Sequence, residues 1–210
     1  MKSATKNPTV PNQICSALMA VKVGHRTTTR RAAFTLAVLG IIFLFASITS
    51  AATFHVTTTT DNNNNASPTA GSLRKAIVDA NANPGTDTID FNISGGGVHT
   101  FSLMTPLPTI TDPVVIDGYT QPGASVNTLA KGDNAVLLIE ITGSNPLNLS
   151  GSDGLVITAG SSTITGLVIN GFSGTNVYNA GGIRVSGSGG NVIAGNFIGT
   201  NASGTAKIPN

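Results

Sequence analysis

Few side chains between Thr53 and Asn210 are equipped for acid–base or metal chemistry. Glu140 is the one glutamate, and the aspartates near it in sequence are Asp112, Asp117, Asp133 and Asp153. A polysaccharide lyase needs carboxylates gathered around calcium and a base close to the proton α to a uronate carboxylate. Glu140, Asp117 and Arg184 are the residues of the right type. The spacing of the surrounding strands predicts that they point outward from three different faces, with Asp153 in a turn. No face is expected to carry two carboxylates at stacking distance. Asp112, Asp117 and Asp133 lie around the loop of residues 120–135, the one place where calcium is conceivable; no other metal or cofactor is expected. His55 and His99 sit beside threonines with no Cys, Asp or Ser partner at useful spacing, so neither is expected to be catalytic. No GxSxG, HExxH, P-loop or EF-hand pattern occurs. The chain has no Trp, and Tyr119 and Tyr178 are expected in loops, a poor platform for stacking sugars.

The elements that position these residues announce themselves by repetition. Leu155 and Ile157 recur as Ile183 and Val185, 28 residues later, and Ile139 and Ile141 recur as Leu167 and Ile169 at the same offset. Ile164 recurs as Ile193, and Ile169 as Ile198, 29 residues later. Within each segment aliphatic and small or polar residues alternate, as in a strand with one buried face. Segments of four to six residues set off by Gly, Ser and Asn are too short for helices. Three segments advancing together predict an all-β solenoid, a parallel β-helix with three strands per coil. Leu155 should stack on Ile183, Ile164 on Ile193 and Ile169 on Ile198. VVIDG (114–118) matches STITG (162–166) at an offset of 48, one coil plus the loop of residues 120–135. Hairpins of an antiparallel sandwich would not keep one offset in three separate strands. Asn170, Asn191 and Asn196 are expected to satisfy backbone groups at the turns.

The net charge of +2 conceals a split. Residues 1–52 hold six basic residues and no acid, while the remainder holds five basic and nine acidic residues, a formal charge of −4. The basic stretch precedes AAFTLAVLGIIFLFASI (32–48) and then TSAA (49–52). A positive region, an apolar run and small residues together predict a secretory signal peptide over residues 1–52, cleaved after Ala51 or Ala52. Met19 is an alternative start. The apolar run is short for a membrane span, so no stable span is expected after cleavage. Cys15 falls in the removed segment, leaving a mature chain without disulfides or thiolate metal sites. An acidic mature chain with no basic cluster has no electrostatic case for binding nucleic acid.

Between signal and repeats, SLRKAIVDANA (72–82) predicts a helix. Leu73, Ala76, Ile77 and Ala80 form one apolar stripe, Ser72 is a suitable N-cap, and Asn83-Pro84-Gly85 ends the run. Such a helix would cover the first coil of a solenoid, whose core and strand edge need protection. TFHVTTTT (53–60) reads as a strand with Phe54 and Val56 inward, and DTIDFNI (87–93) as one with Ile89, Phe91 and Ile93 inward. Residues 53–112 thus read as an N-terminal cap and residues 113–210 as coils, with further coils of a longer chain expected beyond Asn210.

GSLRKAIVDANANPGTDTIDF (71–91) resembles the bacterial CSLREA-type motif, with Gly71 in place of its Cys and Lys75 in place of its Glu. PLPTITDPVVIDGYTQPGAS (106–125) and GNFIGTNASGTA (195–206) resemble the first-coil and repeat signatures of the same group. The resemblance implies a right-handed, pectin-lyase-like β-helix in a secreted or surface protein. It implies little about activity, because a shared fold does not confer function. The resulting expectation is a non-catalytic structural, adhesive or display module whose partners are polysaccharide or surface components. A pectate-lyase-like β-elimination enzyme, or a glycoside hydrolase, is the alternative.

Overall fold

Eleven short strands and one helix account for the regular structure of the described residues. The structure, a computed structural model, describes residues 50–143, 152–172 and 180–210. Residues 1–49, with Cys15, Met19 and the expected signal segment, lie outside the described residues, as does Tyr178. In chain order the elements are β1 (Thr53–Val56), α1 (Leu73–Ala82), β2 (Asp87–Phe91), β3 (His99–Ser102), β4 (Val114–Asp117), β5 (Ile139–Thr142) and β6 (Leu155–Ile157). They continue with β7 (Thr163–Thr165), β8 (Leu167–Asn170), β9 (Ile183–Val185), β10 (Val192–Ala194) and β11 (Phe197–Ile198). The chain is therefore all-β in class, with a single helix among the described residues.

Every strand pair is parallel. A five-stranded sheet runs β1-β2-β4-β7-β10, a four-stranded sheet β11-β8-β5-β3, and a two-stranded sheet β6-β9, which Ile110 extends by a parallel bridge to Ile157. From β6 onward the chain visits the two-, five- and four-stranded sheets in turn, then repeats the circuit through β9, β10 and β11.

Register places like side chains on like. Phe54, Ile89, Ile116, Ile164 and Ile193 form one row across the five-stranded sheet. Phe101, Ile141, Ile169 and Ile198 form another across the four-stranded sheet, and Leu155 pairs with Ile183. Ile89, Ile116 and Ile164 are fully buried, and burying each contributes about 1.5–3 kcal/mol. Phe91 and Phe101 meet edge to face at 6.3 Å between the two larger sheets. On the edge strands β10 and β11 the rows open to solvent. Ile193 and Ile198 are 39% and 46% exposed, while their partners Ile164 and Ile169 are 0% exposed.

Helix α1 packs on β1 and β2, its Leu73, Ala76, Ile77 and Ala80 joining the core that holds Ile89 and Phe91. Ser72 Oγ accepts from Lys75 N–H at 3.1 Å, the bond of an N-cap. The first strand is shorter than its threonine run predicts. Thr57 and Thr58 N–H both turn to the Gly71 carbonyl, at 2.9 and 3.3 Å, so the chain leaves the ladder after Val56. A Cβ at Gly71, whose φ is +72°, would overlap Thr57 Oγ1, which leaves no room there for the cysteine of the motif that this segment resembles.

Candidate functional site

The outward face of the five-stranded sheet holds the most chemically varied row. His55, Asp90 and Asp117 occupy successive register positions on β1, β2 and β4, followed by Thr165 on β7. His55 Nδ1 and Asp90 Oδ1 lie 2.6 Å apart. Two expectations are corrected here. His55 does have an aspartate partner, 35 residues away in sequence and one strand away in the sheet. Asp90 and Asp117 are carboxylates on directly paired positions of one face. Spacing along the chain could not show either, because the offset between β1 and β2 is set by α1 and its flanking loops. Asp117 Oδ1 accepts from Tyr119 N–H at 3.0 Å, in a short 3-10 turn over Gly118–Thr120.

Beside the row lies a cleft of about 310 Å³ between β1 and α1. Phe54, His55, Gly71, Lys75 and Asp79 line it. Lys75 Nζ pairs with Asp79 across one helical turn at 2.6 Å. The cleft therefore presents an imidazole and a paired cation to solvent above an apolar floor.

The acids once grouped for calcium are turned to different tasks. Asp112 accepts from Gly85 N–H at 2.9 Å and Asp133 from Ala135 N–H at 2.7 Å. Among the described residues no group of three or more His, Cys, Asp or Glu side chains is placed to hold a metal ion. Tyr119 feels two of these acids. Burial, then the charges of Asp133 and Asp117, raise its phenol above the ordinary value, and its hydroxyl donates to the Gly195 carbonyl at 2.8 Å.

Glu140, Asp117 and Arg184 lie on β5, β4 and β9, in three different sheets. Glu140 accepts from Thr100 Oγ1 at 2.7 Å and from Asn170 Nδ2 at 2.8 Å. Arg184 Nε reaches Asp153 Oδ2 at 2.8 Å. His99 begins β3, with its Nε2 buried and without a hydrogen-bond partner. The asparagines tie neighbouring turns together. Asn191 Oδ1 accepts from Ser162 N–H and Asn196 Oδ1 from Leu167 N–H, each at 2.9 Å, and Asn170 Nδ2 also donates to the Thr200 carbonyl.

The most heavily bonded side chain is one that the apolar stripe passes over. Arg74 is fully buried beside that stripe. Its Nε and Nη2 grip Asp61 at 2.8 and 2.7 Å, Nη1 donates to Asn65 Oδ1 and the Pro106 carbonyl, and Nη2 also donates to the Thr105 carbonyl. All five donors are used. Burial pushes the Asp61 carboxyl upward, but the Arg74 hydrogen bonds, the Asn63 N–H and the Arg74 charge outweigh it and hold the group below its ordinary value. Gln121 is another such residue, buried and bonded through its amide to both the N–H and the carbonyl of Ile93 at 2.9 Å. A lone arginine between residues 53 and 183, close to several acids and asparagines, was the available signal for the first; nothing local marks the second.

These features define an all-β chain of parallel ladders with one helix against its first two strands. A scan of protein-family models and searches of curated proteins and solved structures find no match to this chain.

Proposed function

We propose that residues 53–210 form a right-handed parallel β-helix, three strands per coil, acting as a non-catalytic secreted or cell-surface module. Its role on this reading is structural, adhesive or display, with polysaccharide or other surface components as partners and further coils continuing the stack. The observation that carries the reading is the ordered circuit of three parallel sheets at offsets of 28 and 29 residues. Handedness follows from the strong right-handed preference of parallel crossovers. The non-catalytic part rests on where the charges sit: Glu140, Asp117 and Arg184 belong to separate sheets, and each is engaged by a neighbour in its own region. A lyase needs metal, base and substrate carboxylate within hydrogen-bond reach of one another.

One observation favours the catalytic alternative, a lyase or glycoside hydrolase: Asp90 and Asp117 are paired across adjacent strands with His55 beside them. Incubating the exported protein with polygalacturonate and millimolar calcium decides between the two. No unsaturated product absorbing in the ultraviolet, together with co-sedimentation with an insoluble polysaccharide, is the expected result. Steady calcium-dependent product formation that disappears in Asp117→Asn or Arg184→Ala would overturn the non-catalytic reading.

A further inference from the structure

A buried carboxylate without a countercharge stands at the start of β2. Asp87 is 0% exposed, and no cation pairs with it among the described residues. Its Oδ1 accepts from Ala52 N–H at 2.8 Å and from Asn83 Nδ2 at 2.7 Å. Its Oδ2 is buried with no hydrogen-bond partner. A buried carboxylate left with neutral donors on one oxygen and nothing on the other is costly, and it is relieved by a cation that bonds to both.

The donor already on Oδ1 belongs to one of the two residues at which the signal segment is expected to end. We propose that Asp87 is the receptor for the α-ammonium of Ala52, created when a signal peptidase hydrolyses the Ala51–Ala52 bond. This rests on the reading of residues 1–51 as a cleaved signal peptide. In the hydrolysis water supplies a hydroxyl to the Ala51 carbonyl carbon and a proton to the Ala52 nitrogen, which then takes a second proton from solvent. The resulting ammonium keeps its bond to Oδ1 and brings further N–H groups to Oδ2.

The same geometry selects between the two cleavage positions. Ala52 is held at both ends, its N–H on Asp87 and its carbonyl accepting from Thr88 N–H at 2.8 Å. Cleavage after Ala52 would remove both contacts and leave Asp87 with Asn83 alone. Cleavage after Ala51 costs the Asn83 Nδ2 bond to the Ser50 carbonyl and supplies the missing charge. Processing and the docking of β1 onto β2 are thereby coupled: the exported chain acquires a buried ion pair that the precursor lacks.

The test uses the full chain exported from a bacterial host and two readouts. N-terminal sequencing should begin Ala52-Thr53-Phe54. A product that retains Arg30 and Arg31 overturns the signal reading on which the proposal rests, whereas one that begins at Thr53 leaves export standing and overturns the role of Asp87. The second readout is the rate at which an amine-reactive ester at neutral pH labels the terminal amine, followed by peptide mapping. Folded protein should label about tenfold more slowly than the same protein in concentrated urea, because a charge-assisted pair keeps the amine protonated. Asp87→Asn, which preserves shape, should label at nearly the unfolded rate. Equal rates for folded and urea-treated wild type overturn the proposal with no variant needed, and so does a folded Asp87→Asn protein that labels as slowly as wild type.

Discussion

Arg74 Nη2 and Asp61 Oδ2 lie 2.7 Å apart, and no part of the Arg74 side chain reaches solvent. The pair joins the first turn of α1 to the polar loop before it, and the remaining Arg74 donors fasten both to the carbonyls of Thr105 and Pro106. One guanidinium thus holds three segments that are far apart in sequence. Removing either partner strands a buried charge, which costs about 3–5 kcal/mol. Arg74→Leu and Asp61→Ala should each lower the urea midpoint of the exported protein strongly. The double variant should lose less than the sum of the two, since the residues act as one unit.

Acid sensitivity follows from the same pair. The folded-state pKa of Asp61 is held below the ordinary 3.8, so the unfolded chain takes up this proton at a higher pH than the folded one. The stabilisation is complete above the ordinary value and is lost as pH falls through the lowered folded value. Melting temperatures measured across the acid range should show this loss in wild type, and Asp61→Asn, already destabilised, should lack that component.

The helix cap is testable with two neighbouring substitutions. Ile77 is 1% exposed, and Ile77→Asp puts a carboxylate where desolvation costs several kcal/mol. Lys75 is a partly exposed partner of Asp79, and Lys75→Ala should cost no more than about 0.5 kcal/mol. Equal melting temperatures for the two variants would show that α1 does not cover the core.

The aliphatic row across the five-stranded sheet should be uneven in its energetics. Ile164→Ala opens a cavity between two strands and should cost about 2–5 kcal/mol. Ile193→Ala, on the half-exposed edge strand, should cost less than half as much. Denaturant unfolding of the two variants gives the comparison directly.

Gly166 occupies a close approach between neighbouring turns. Its φ is +72°, and an added Cβ would stand 2.6 Å from Tyr119 N. Gly166→Ala should therefore destabilise by at least the roughly 1–3 kcal/mol of a left-handed non-glycine residue. At Gly189 a Cβ would meet nothing within 4 Å, and Gly189→Ala should stay within about 0.5 kcal/mol of wild type. Thermal melts of the pair check both expectations.

Periodicity along the chain was enough to pair Leu155 with Ile183, Ile164 with Ile193 and Ile169 with Ile198, because a constant offset and alternating burial leave one parallel register for each strand. The helix stripe through Leu73, Ile77 and Ala80 was legible for a similar reason: its spacing and its Ser72 cap are local properties. What only the tertiary structure decided is the company kept by polar side chains. His55 meets Asp90, and Asp90 stands next to Asp117, because α1 and two loops of unequal length happen to bring those strands into that register. Arg74 turns inward off the apolar stripe because Asp61, Asn65 and two carbonyls satisfy all of its donors, a compensation invisible in helical periodicity. Asp87 is buried at a strand start that reads as polar, and its partner is the backbone at Ala52. Burial of apolar side chains follows a repeating rule that one segment reveals, whereas satisfaction of a buried charge depends on particular atoms from distant segments, which only the folded chain brings together.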